Sequence, residues 1–351
     1  MELVDMFSEV MIPARKKKTR MRYRVAVIGG GSWATAIVKI LSANLEHIHW
    51  WVREEEIVEG ISSYGHNPLF LSSVYINPKD VKISTDLRQV VAKSDYVIIV
   101  TPSAFLHKTL EPLKKSKLNQ KKIINAVKGI VPETMQVITE YLKTEFRIPA
   151  SNLAVISGPS HAEEVAKEKF TFLTAASENQ ELAKTVAQFF TNRYVRTSVS
   201  ADIKGAEMAV VLKNIYALGA GIYSGLGYGD NFIAVLVSNC IKEMYFLLDP
   251  QSINDLTRFN PSNFFGDLLV SCYSSHSRNR QLGMLIGRGN TVKTALNEMT
   301  MVAEGYYSSA MLPFLPEDQR RQLPIAEKAY QVLHQGMPAR KAMKDLEDLL
   351  E

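Results

Sequence analysis

The sequence predicts a two-domain α/β protein, with a parallel sheet in residues 22–202 and an all-helical part in residues 203–351. Up to residue 200, short apolar segments of strand length alternate with helical patterns, as in a sheet with helical crossovers. Beyond residue 200 the strand signals fade and only helical patterns remain. A chain of 351 residues is also long enough to form two domains with sizeable cores.

The positive charge of the chain is concentrated at its N-terminus. Residues 1–24 hold seven basic and three acidic residues, which account for most of the formal net charge of +5. We expect residues 1–21 to be a basic, disordered extension rather than a targeting or partner-binding arm. Because the remainder is almost neutral, we do not expect the body of the protein to bind nucleic acid.

Cysteine content and hydropathy indicate a cytoplasmic protein. Cys240 and Cys272 are too few for a disulfide framework, which suits a reducing compartment. No run approaches 18 uncharged apolar residues, and no apolar segment of signal-peptide length accompanies the N-terminal basic run. We therefore expect no membrane span.

A glycine-rich turn follows the first apolar segment, YRVAVI (23–28). Its spacing is G-x-G-x-x-A: Gly29 permits the tight turn, Gly31 lets a pyrophosphate approach the backbone, and Ala34 allows close helix-on-strand packing. The helix that opens at Ser32 would aim its free N–H groups at the phosphates. An ordinary glycine-rich turn is the alternative, but the strand before it and the helix after it favour dinucleotide binding.

The second predicted strand, 47–52, ends in Arg53. NAD-selective folds usually place an acidic residue near this point to hold the ribose hydroxyls, whereas an arginine can meet the 2′-phosphate of NADP. The alternative is a solvated arginine opening the acidic segment Glu54–Glu56. We expect NADP to be accepted.

Two further strands end in polar residues that would face the ligand crevice. Lys128 follows the predicted strand 122–126, just past its carboxyl end. The alternative is an ordinary exposed lysine in a loop. Strand 153–157 leads into Gly158 and Ser160, and Ser160 with Glu163 has the spacing of a capping box. His161, between them, is interpreted as packing rather than catalytic.

The segment 205–224 predicts the central helix of the molecule. Apolar side chains surround it on nearly all sides, so it is expected to be buried. Lys213 lies within it, and a buried lysine is rarely tolerated unless it is paired or functional. Desolvation would make its amine a proton donor and acceptor near neutral pH. The alternative is a lysine at a helix end that extends to water.

A second polar cluster lies further along the helical part. Asp267 is followed ten residues later by Ser277, Arg278 and Asn279. Arg278 offers a planar fork suited to a phosphate, and its neighbours add neutral hydrogen bonds. Helix capping and surface charge would explain the same residues. The other helices are predicted at 230–248, 263–272, 279–287, 291–299, 303–312, 324–335 and 338–350.

Taken together, these motifs resemble NAD(P)-dependent glycerol-3-phosphate dehydrogenase of the bacterial type. The resemblance covers the chain from about Arg24 onward and depends on the joint order of several motifs. These are VIGGGSWATAI (27–37), VKG (127–129), SGPSHAEE (157–164), Glu207 with LKN (212–214), GLGYGDN (225–231), GDL…SRNR (266–280) and VAEG (302–305). Ala34 replaces a commoner glycine, and Asn239 stands where relatives often have arginine.

The resemblance implies a Rossmann domain joined to an all-helical domain of the 6-phosphogluconate dehydrogenase type. It implies reversible hydride transfer between sn-glycerol 3-phosphate and NAD or NADP, without a metal, to supply glycerol 3-phosphate for glycerophospholipid synthesis. Lys213 is implied as general acid/base, with Lys128 and Asp267 assisting. The substrate contacts implied are Lys128, Gly158, Ser160, Asp267, Ser277, Arg278 and Asn279. The cofactor contacts implied, beyond Gly29 and Gly31, are Ser32, Trp33, Arg53, Lys128, Ala162, Arg278, Val302 and Glu304.

Two alternatives stay open at this point. The chain could be another dehydrogenase of the same two-domain plan, acting on a different hydroxy acid or sugar acid. It could also be a catalytically silent protein that senses nucleotides, although the presence of Lys213 argues against this. The expected partners are the small-molecule substrate and a second copy of the chain in a homodimer.

Overall fold

The computed structural model describes residues 19–114, 117–248 and 262–350. Residues 1–18 of the predicted basic extension therefore lie outside the described residues. The strands of the described part are β1 (Met21–Ile28), β2 (Leu45–Trp51), β3 (Val81–Ser84), β4 (Tyr96–Ile99), β5 (Lys122–Asn125), β6 (Ile130–Val131), β7 (Gln136–Val137), β8 (Leu153–Ser157), β9 (Thr171–Ala176) and β10 (Val195–Ser200).

Helices alternate with these strands and then take over the chain. Those of the sheet domain are α1 (Ser32–Ser42), α2 (Glu55–Glu59), α3 (Leu87–Ala92), α4 (Ser103–Leu110), α5 (Ile138–Phe146), α6 (Ala162–Ala166) and α7 (Gln180–Phe190). The described helices that follow are α8 (Ile203–Leu226), α9 (Asp230–Leu248), α10 (Asp267–Tyr273), α11 (Arg278–Gly287), α12 (Val292–Glu298), α13 (Glu304–Ser309), α14 (Glu317–Arg320), α15 (Pro324–His334) and α16 (Ala339–Glu347).

The sheet has the strand order β10-β9-β8-β5-β4-β1-β2-β3. Its strands run parallel except between β8 and β9, which pair antiparallel. The order reverses between β1 and β4, and ligands of such sheets bind at the carboxyl ends of the strands at that reversal. This sheet and the helical part after it confirm the predicted fold class, a Rossmann-type domain followed by a helical domain.

Helix α8 is the core of the helical part. Nineteen of its residues are buried, including Lys213, and α10, α11, α13 and α15 pack around it. Both α8 and α9 are long and apolar enough to cross a membrane by length and composition, but a buried core helix passes the same test. Of the apolar 18-residue stretch in each helix, 83% is buried within the protein in α8 and 39% in α9.

Several predicted element bounds differ from the structure. Strand β1 begins at Met21, within the extension assigned to residues 1–21, because Met21 pairs with Leu45 of β2 and donates its N–H to the carbonyl of Asn44. The helix predicted at 263–272 is a π-helical turn, Ser262–Gly266, followed by α10. The chain between α2 and β3 contains a π-helical turn, Gly60–Tyr64, and the isolated bridge between His66 and Tyr75.

Candidate active site

A cleft lies between the carboxyl end of the sheet and the helices that pack on α8. Most of the residues predicted for substrate and cofactor line this cleft together. They are Trp33, Lys128, Ser160, Ala162, Lys213, Asp267, Ser277, Arg278, Asn279, Val302 and Glu304. Gly29, Gly31, Ser32, Arg53 and Gly158 do not line it: the first three form the turn after β1, Arg53 follows β2, and Gly158 follows β8.

Lys213 sits in the middle of α8 and not at a helix end, so the interpretation as a lysine reaching water is wrong. Its side chain is only 6% exposed. Its Nζ donates to Oδ1 of Asp267 at 2.7 Å and to Oγ of Ser271 at 2.9 Å. A buried ammonium with these two acceptors is held in one position.

Ser271 is a site residue that the sequence analysis missed. It lines the cleft and lies one helical turn after Asp267 on α10, so both side chains project from the same face toward Lys213. The four-residue spacing was a usable signal, but it required knowing that Asp267 begins a helix.

The carboxylate of Asp267 is shared by two lysines. While Oδ1 accepts from Lys213, Oδ2 lies 3.4 Å from Nζ of Lys128. Burial alone would raise the pKa of Asp267, but the neighbouring ammonium groups of Lys128 and Lys213 together lower it. Asp267 is therefore ionised in the folded protein and links the two amines.

Lys128 reaches this cluster from the loop after β5, where the parallel strand delivers it to the crevice. Its Nζ also donates to the carbonyl oxygen of Gly158 at 3.1 Å and to Oγ of Ser160 at 3.2 Å. Burial, together with Lys213, lowers the pKa of Lys128 to about 8, although Asp267 opposes this shift. The Lys128 amine can therefore change charge close to neutral pH.

The expected capping box of Ser160 and Glu163 is wrong. Helix α6 starts at Ala162, its N-cap residue is His161, and no side chain caps it. The hydroxyl of Ser160 instead donates to the carbonyl of Gly158 at 2.8 Å and accepts from Lys128. The ammonium of Lys128 is a stronger donor than a backbone amide, so Ser160 is turned toward the cleft.

A chain of amides fixes the backbone around Lys128. Asn214 donates from Nδ2 to the carbonyl oxygen of Lys128 at 2.6 Å. Its Oδ1 accepts from Asn279 at 2.8 Å, and Oδ1 of Asn279 in turn accepts from the Gly305 N–H at 2.8 Å. The amide of Asn279 is thus already bonded within the protein.

Arg278 and Ser277 occupy the start of α11 at the edge of the cleft. Ser277 caps this helix by accepting from the N–H of Arg280, as the structural interpretation of the cluster expected. Arg278 lines the cleft, where burial lowers the pKa of its guanidinium and Glu163 and Glu304 oppose that shift. An arginine partly removed from water, without a tight ion pair to any described residue, is suited to an anionic ligand.

The turn after β1 fits the phosphates of a dinucleotide. Gly29 has a φ of +135°, which side-chain-bearing residues rarely adopt, and a Cβ on Gly31 would project into open space. Helix α1 starts at Ser32 with no side-chain cap and no acidic residue in its first turn. Asn67, between α2 and β3, donates from Nδ2 to the Gly30 carbonyl at 2.9 Å and supports the turn.

Arg53 lies just after β2, with its side chain 76% exposed. Its guanidinium donates to Oε1 of Glu54 at 2.6 and 2.9 Å. Glu304, also predicted for the cofactor, accepts from the backbone N–H of Ser103 at 3.0 Å and from the Ser103 hydroxyl. Among the described residues, no group of three His, Cys, Asp or Glu side chains is arranged to hold a metal ion.

This combination of fold and cleft defines a two-domain, nicotinamide-dependent dehydrogenase. Within that class, the chain belongs to the NAD-dependent glycerol-3-phosphate dehydrogenase family. Models of the N-terminus and the C-terminus of that family match residues 24–183 and 202–344.

Individual relatives agree with this assignment. The NAD(P)+ glycerol-3-phosphate dehydrogenase of Agathobacter rectalis is 35% identical over 92% of this chain and 95% of its own length. That of Oceanobacillus iheyensis is 36% identical over 92% of this chain and 93% of its own. The crystal structure of the Coxiella burnetii glycerol-3-phosphate dehydrogenase superposes with a TM-score of 0.83 at 27% identity, covering 93% of this chain and 98% of that one. The predicted family, enzyme class and nicotinamide cofactor are confirmed.

Proposed function

We propose that this protein interconverts dihydroxyacetone phosphate and sn-glycerol 3-phosphate with NAD or NADP, and so supplies glycerol 3-phosphate for glycerophospholipid synthesis. The observation that carries the proposal is the buried cluster of Lys213, Asp267 and Lys128 in the cleft below the glycine-rich turn. Bound NADH or NADPH supplies the hydride that a ketone carbon accepts.

Lys213 is the proton donor in ketone reduction and the acceptor in the reverse direction. Negative charge develops on the C2 oxygen during reduction, and a positioned ammonium stabilises it in a cleft that excludes water. Asp267 and Ser271 hold the Lys213 amine in place, at 2.7 and 2.9 Å. Lys128, whose amine lies beside the other oxygen of Asp267, adds a second positive group that polarises the same substrate oxygen.

The two ends of the substrate are held by different sets of residues. Arg278 provides positive charge for the phosphate, and Ser277 adds a hydrogen bond. Asn279, the next residue on α11, supports this pair. Gly158 and Ser160 contact the substrate beside Lys128. Binding energy from the phosphate orients the reacting carbon at the other end of the molecule.

The turn after β1 and one side of the cleft would hold the cofactor. Gly29, Gly31 and Ser32 would bind its pyrophosphate, and Trp33, Ala162, Val302 and Glu304 would contact the nicotinamide half. Lys128 and Arg278 would complete these contacts, and Arg53 would meet the 2′-phosphate of NADP. The uncapped N-terminus of α1 supports the pyrophosphate position.

The test is a panel assay that follows NADH and NADPH oxidation with dihydroxyacetone phosphate and with other ketones, including 2-keto acids and keto sugar acids. Lys213→Ala should lower kcat by more than a thousandfold while cofactor binding, measured by fluorescence, stays unchanged. Lys204→Ala is the matched control, because Lys204 lies on the same helix but is exposed. Activity only on another ketone, or full turnover by the Lys213 variant, would refute the proposal.

We also propose a cytoplasmic location and a homodimer. The two cysteines are free and buried, which fits a reducing compartment. Val235, Leu269 and Tyr273, from α9 and α10, each expose more than 40% of their surface, which supports association through the helical part. Light scattering during gel filtration would test the dimer, and a monomer at micromolar concentration would contradict it.

A further inference from the structure

His161 has a ring nitrogen in the cleft that forms no hydrogen bond with the described part of the chain. The residue lines the cleft beside the lysine cluster, and its Nε2 is buried without a hydrogen-bond partner among the described residues. Buried polar atoms are normally paired, so an orphaned atom in a ligand cleft indicates a partner that arrives with the ligand. The sequence alone favoured a packing role for this histidine.

The surroundings of the ring set its charge. Burial and the ammonium groups of Lys213 and Lys128 lower the pKa of His161, and the backbone of Val270, on α10, opposes this shift. The ring is therefore neutral at physiological pH. A neutral imidazole has one donor and one acceptor, and the buried Nε2 is the acceptor when Nδ1 carries the proton.

We propose that Nε2 of His161 accepts a hydrogen bond from the free primary hydroxyl of the three-carbon substrate. This assignment rests on the function proposed above. His161 thereby becomes a specificity-determining residue that favours a hydroxylated ketone phosphate over the analogue with a methyl group at that position.

The chemistry of the substrate supports the hydroxyl over its other groups. The ketone oxygen and the phosphate dianion are acceptors, so neither can bond an acceptor nitrogen, whereas the hydroxyl can donate. The phosphate already has a better partner in Arg278. The ring of His276 lies 5.9 Å from that of His161 and covers it from the exposed side of the cleft.

The test compares dihydroxyacetone phosphate with hydroxyacetone phosphate, which lacks only this hydroxyl. In the wild type, kcat/KM should favour the hydroxylated substrate. His161→Phe should lower that preference about tenfold, the effect of losing one uncharged hydrogen bond, by reducing kcat/KM for dihydroxyacetone phosphate alone. His161→Gln, which keeps an acceptor oxygen, should restore the preference to within about threefold of the wild type.

His47→Phe is the matched control, since His47 is an exposed histidine on β2, away from the cleft. If His161→Phe does not fold, His161→Leu makes the same comparison. Equal losses on both substrates, or an unchanged preference, would overturn the inference. If the wild type reduced neither phosphate, the proposed function itself would fail, which is a separate result.

Discussion

Asp267 holds two amines with one carboxylate, and the two amines are not equivalent. Lys213 is bonded to the nearer oxygen and is almost fully buried, whereas the Lys128 side chain is 21% exposed and lies 3.4 Å from the other oxygen. Removing one partner from a buried charged group leaves an uncompensated charge, which typically costs about 3–5 kcal/mol. Lys128, which is more exposed and has alternative acceptors in Gly158 and Ser160, is the amine that can lose its proton.

The lowered pKa of Lys128 predicts an alkaline limit to ketone reduction. Below a pH of about 8 the amine is an ammonium that can polarise the ketone, and above it the charge is lost. The pH profile of kcat/KM for dihydroxyacetone phosphate should therefore fall above pH 8. In Lys128→Arg the remaining activity should keep its value to higher pH, because a guanidinium stays charged.

Lys122→Arg is the control for this experiment. Lys122 is the first residue of β5, at the end far from Lys128, and its amine donates to Asn152. Its profile should match the wild type. An alkaline limb that stays at the same pH in Lys128→Arg would assign it to another group.

Arg53 predicts how the protein treats the two cofactors. Its exposed guanidinium pairs only with Glu54 in the described structure, so an incoming phosphate must compete with that carboxylate. Arg53→Ala should weaken NADPH binding about tenfold and NADH binding by less than twofold, measured by fluorescence titration. Glu54→Ala should shift affinity toward NADPH, and equal losses for both cofactors in Arg53→Ala would refute the contact.

At the scale of elements, the contact between α8 and α11 depends on glycines. A Cβ on Gly221 would overlap the carbonyl oxygen of Arg280 on α11, whereas a Cβ on Gly219 would meet nothing closer than 3.9 Å, at Ile325. Both glycines lie inside α8, where alanine is otherwise favoured by about 0.5–1 kcal/mol. The same substitution should therefore have opposite effects at the two positions.

Gly221→Ala should lower the free energy of unfolding by about 1–3 kcal/mol, because the helices must move apart, and Gly219→Ala should raise it by about 0.4–1 kcal/mol. Urea unfolding followed by circular dichroism measures both. Gly221→Ala should also lower kcat, since α11 carries Arg278 into the cleft. Equal stability of the two variants would mean that the helices are not held this closely.

The elements were predictable from sequence where one local pattern determined them. Helix α8 was identified by apolar residues on all sides, and the turn at Gly29–Gly31 by its spacing. Local sequence could not decide whether Ser160 caps a helix or faces the ligand cleft. The answer depends on its hydrogen bond with Lys128, which is 32 residues away in sequence. Ser271 and the orphaned nitrogen of His161 were missed for the same reason: each depends on contacts made only in the folded chain.

At the scale of the whole molecule, Glu207 joins the helical part to the sheet domain. From α8 its carboxylate accepts from Nδ2 of Asn125, at the end of β5, at 2.7 Å, and from the Thr139 N–H at 3.0 Å. Oδ1 of Asn125 accepts from the N–H of Val127, the residue before Lys128. Burial raises the pKa of Glu207 to about 7, although its hydrogen bonds oppose the shift.

Glu243 is a second buried carboxyl. Glu207 and Glu243 together predict that the stability of the protein depends on pH. Glu243 accepts from the backbone N–H of Ile325 at 2.5 Å, and burial raises its pKa to about 8. Each group binds its proton more tightly in the folded than in the unfolded chain, where the pKa of a glutamic acid is about 4.3. Their contribution to stability is therefore complete below that value and is lost as the pH rises through the folded pKa.

Glutamine does not titrate, so replacing either glutamate should remove the part of the stability loss that its carboxyl causes as the pH rises. Between pH 5 and 7, Glu207→Gln and Glu243→Gln should each gain stability relative to the wild type, by up to about 1.4 kcal/mol per pH unit. The comparison with the wild type matters because His49, His161 and His334, whose pKa values are lowered mainly by burial, act in the opposite direction in the acidic part of this range. Urea unfolding at pH 5, 6 and 7 measures these differences, and Glu178→Gln, at an exposed position, should show none. Parallel pH profiles for the wild type and both variants would mean that neither carboxyl holds its proton in the folded protein.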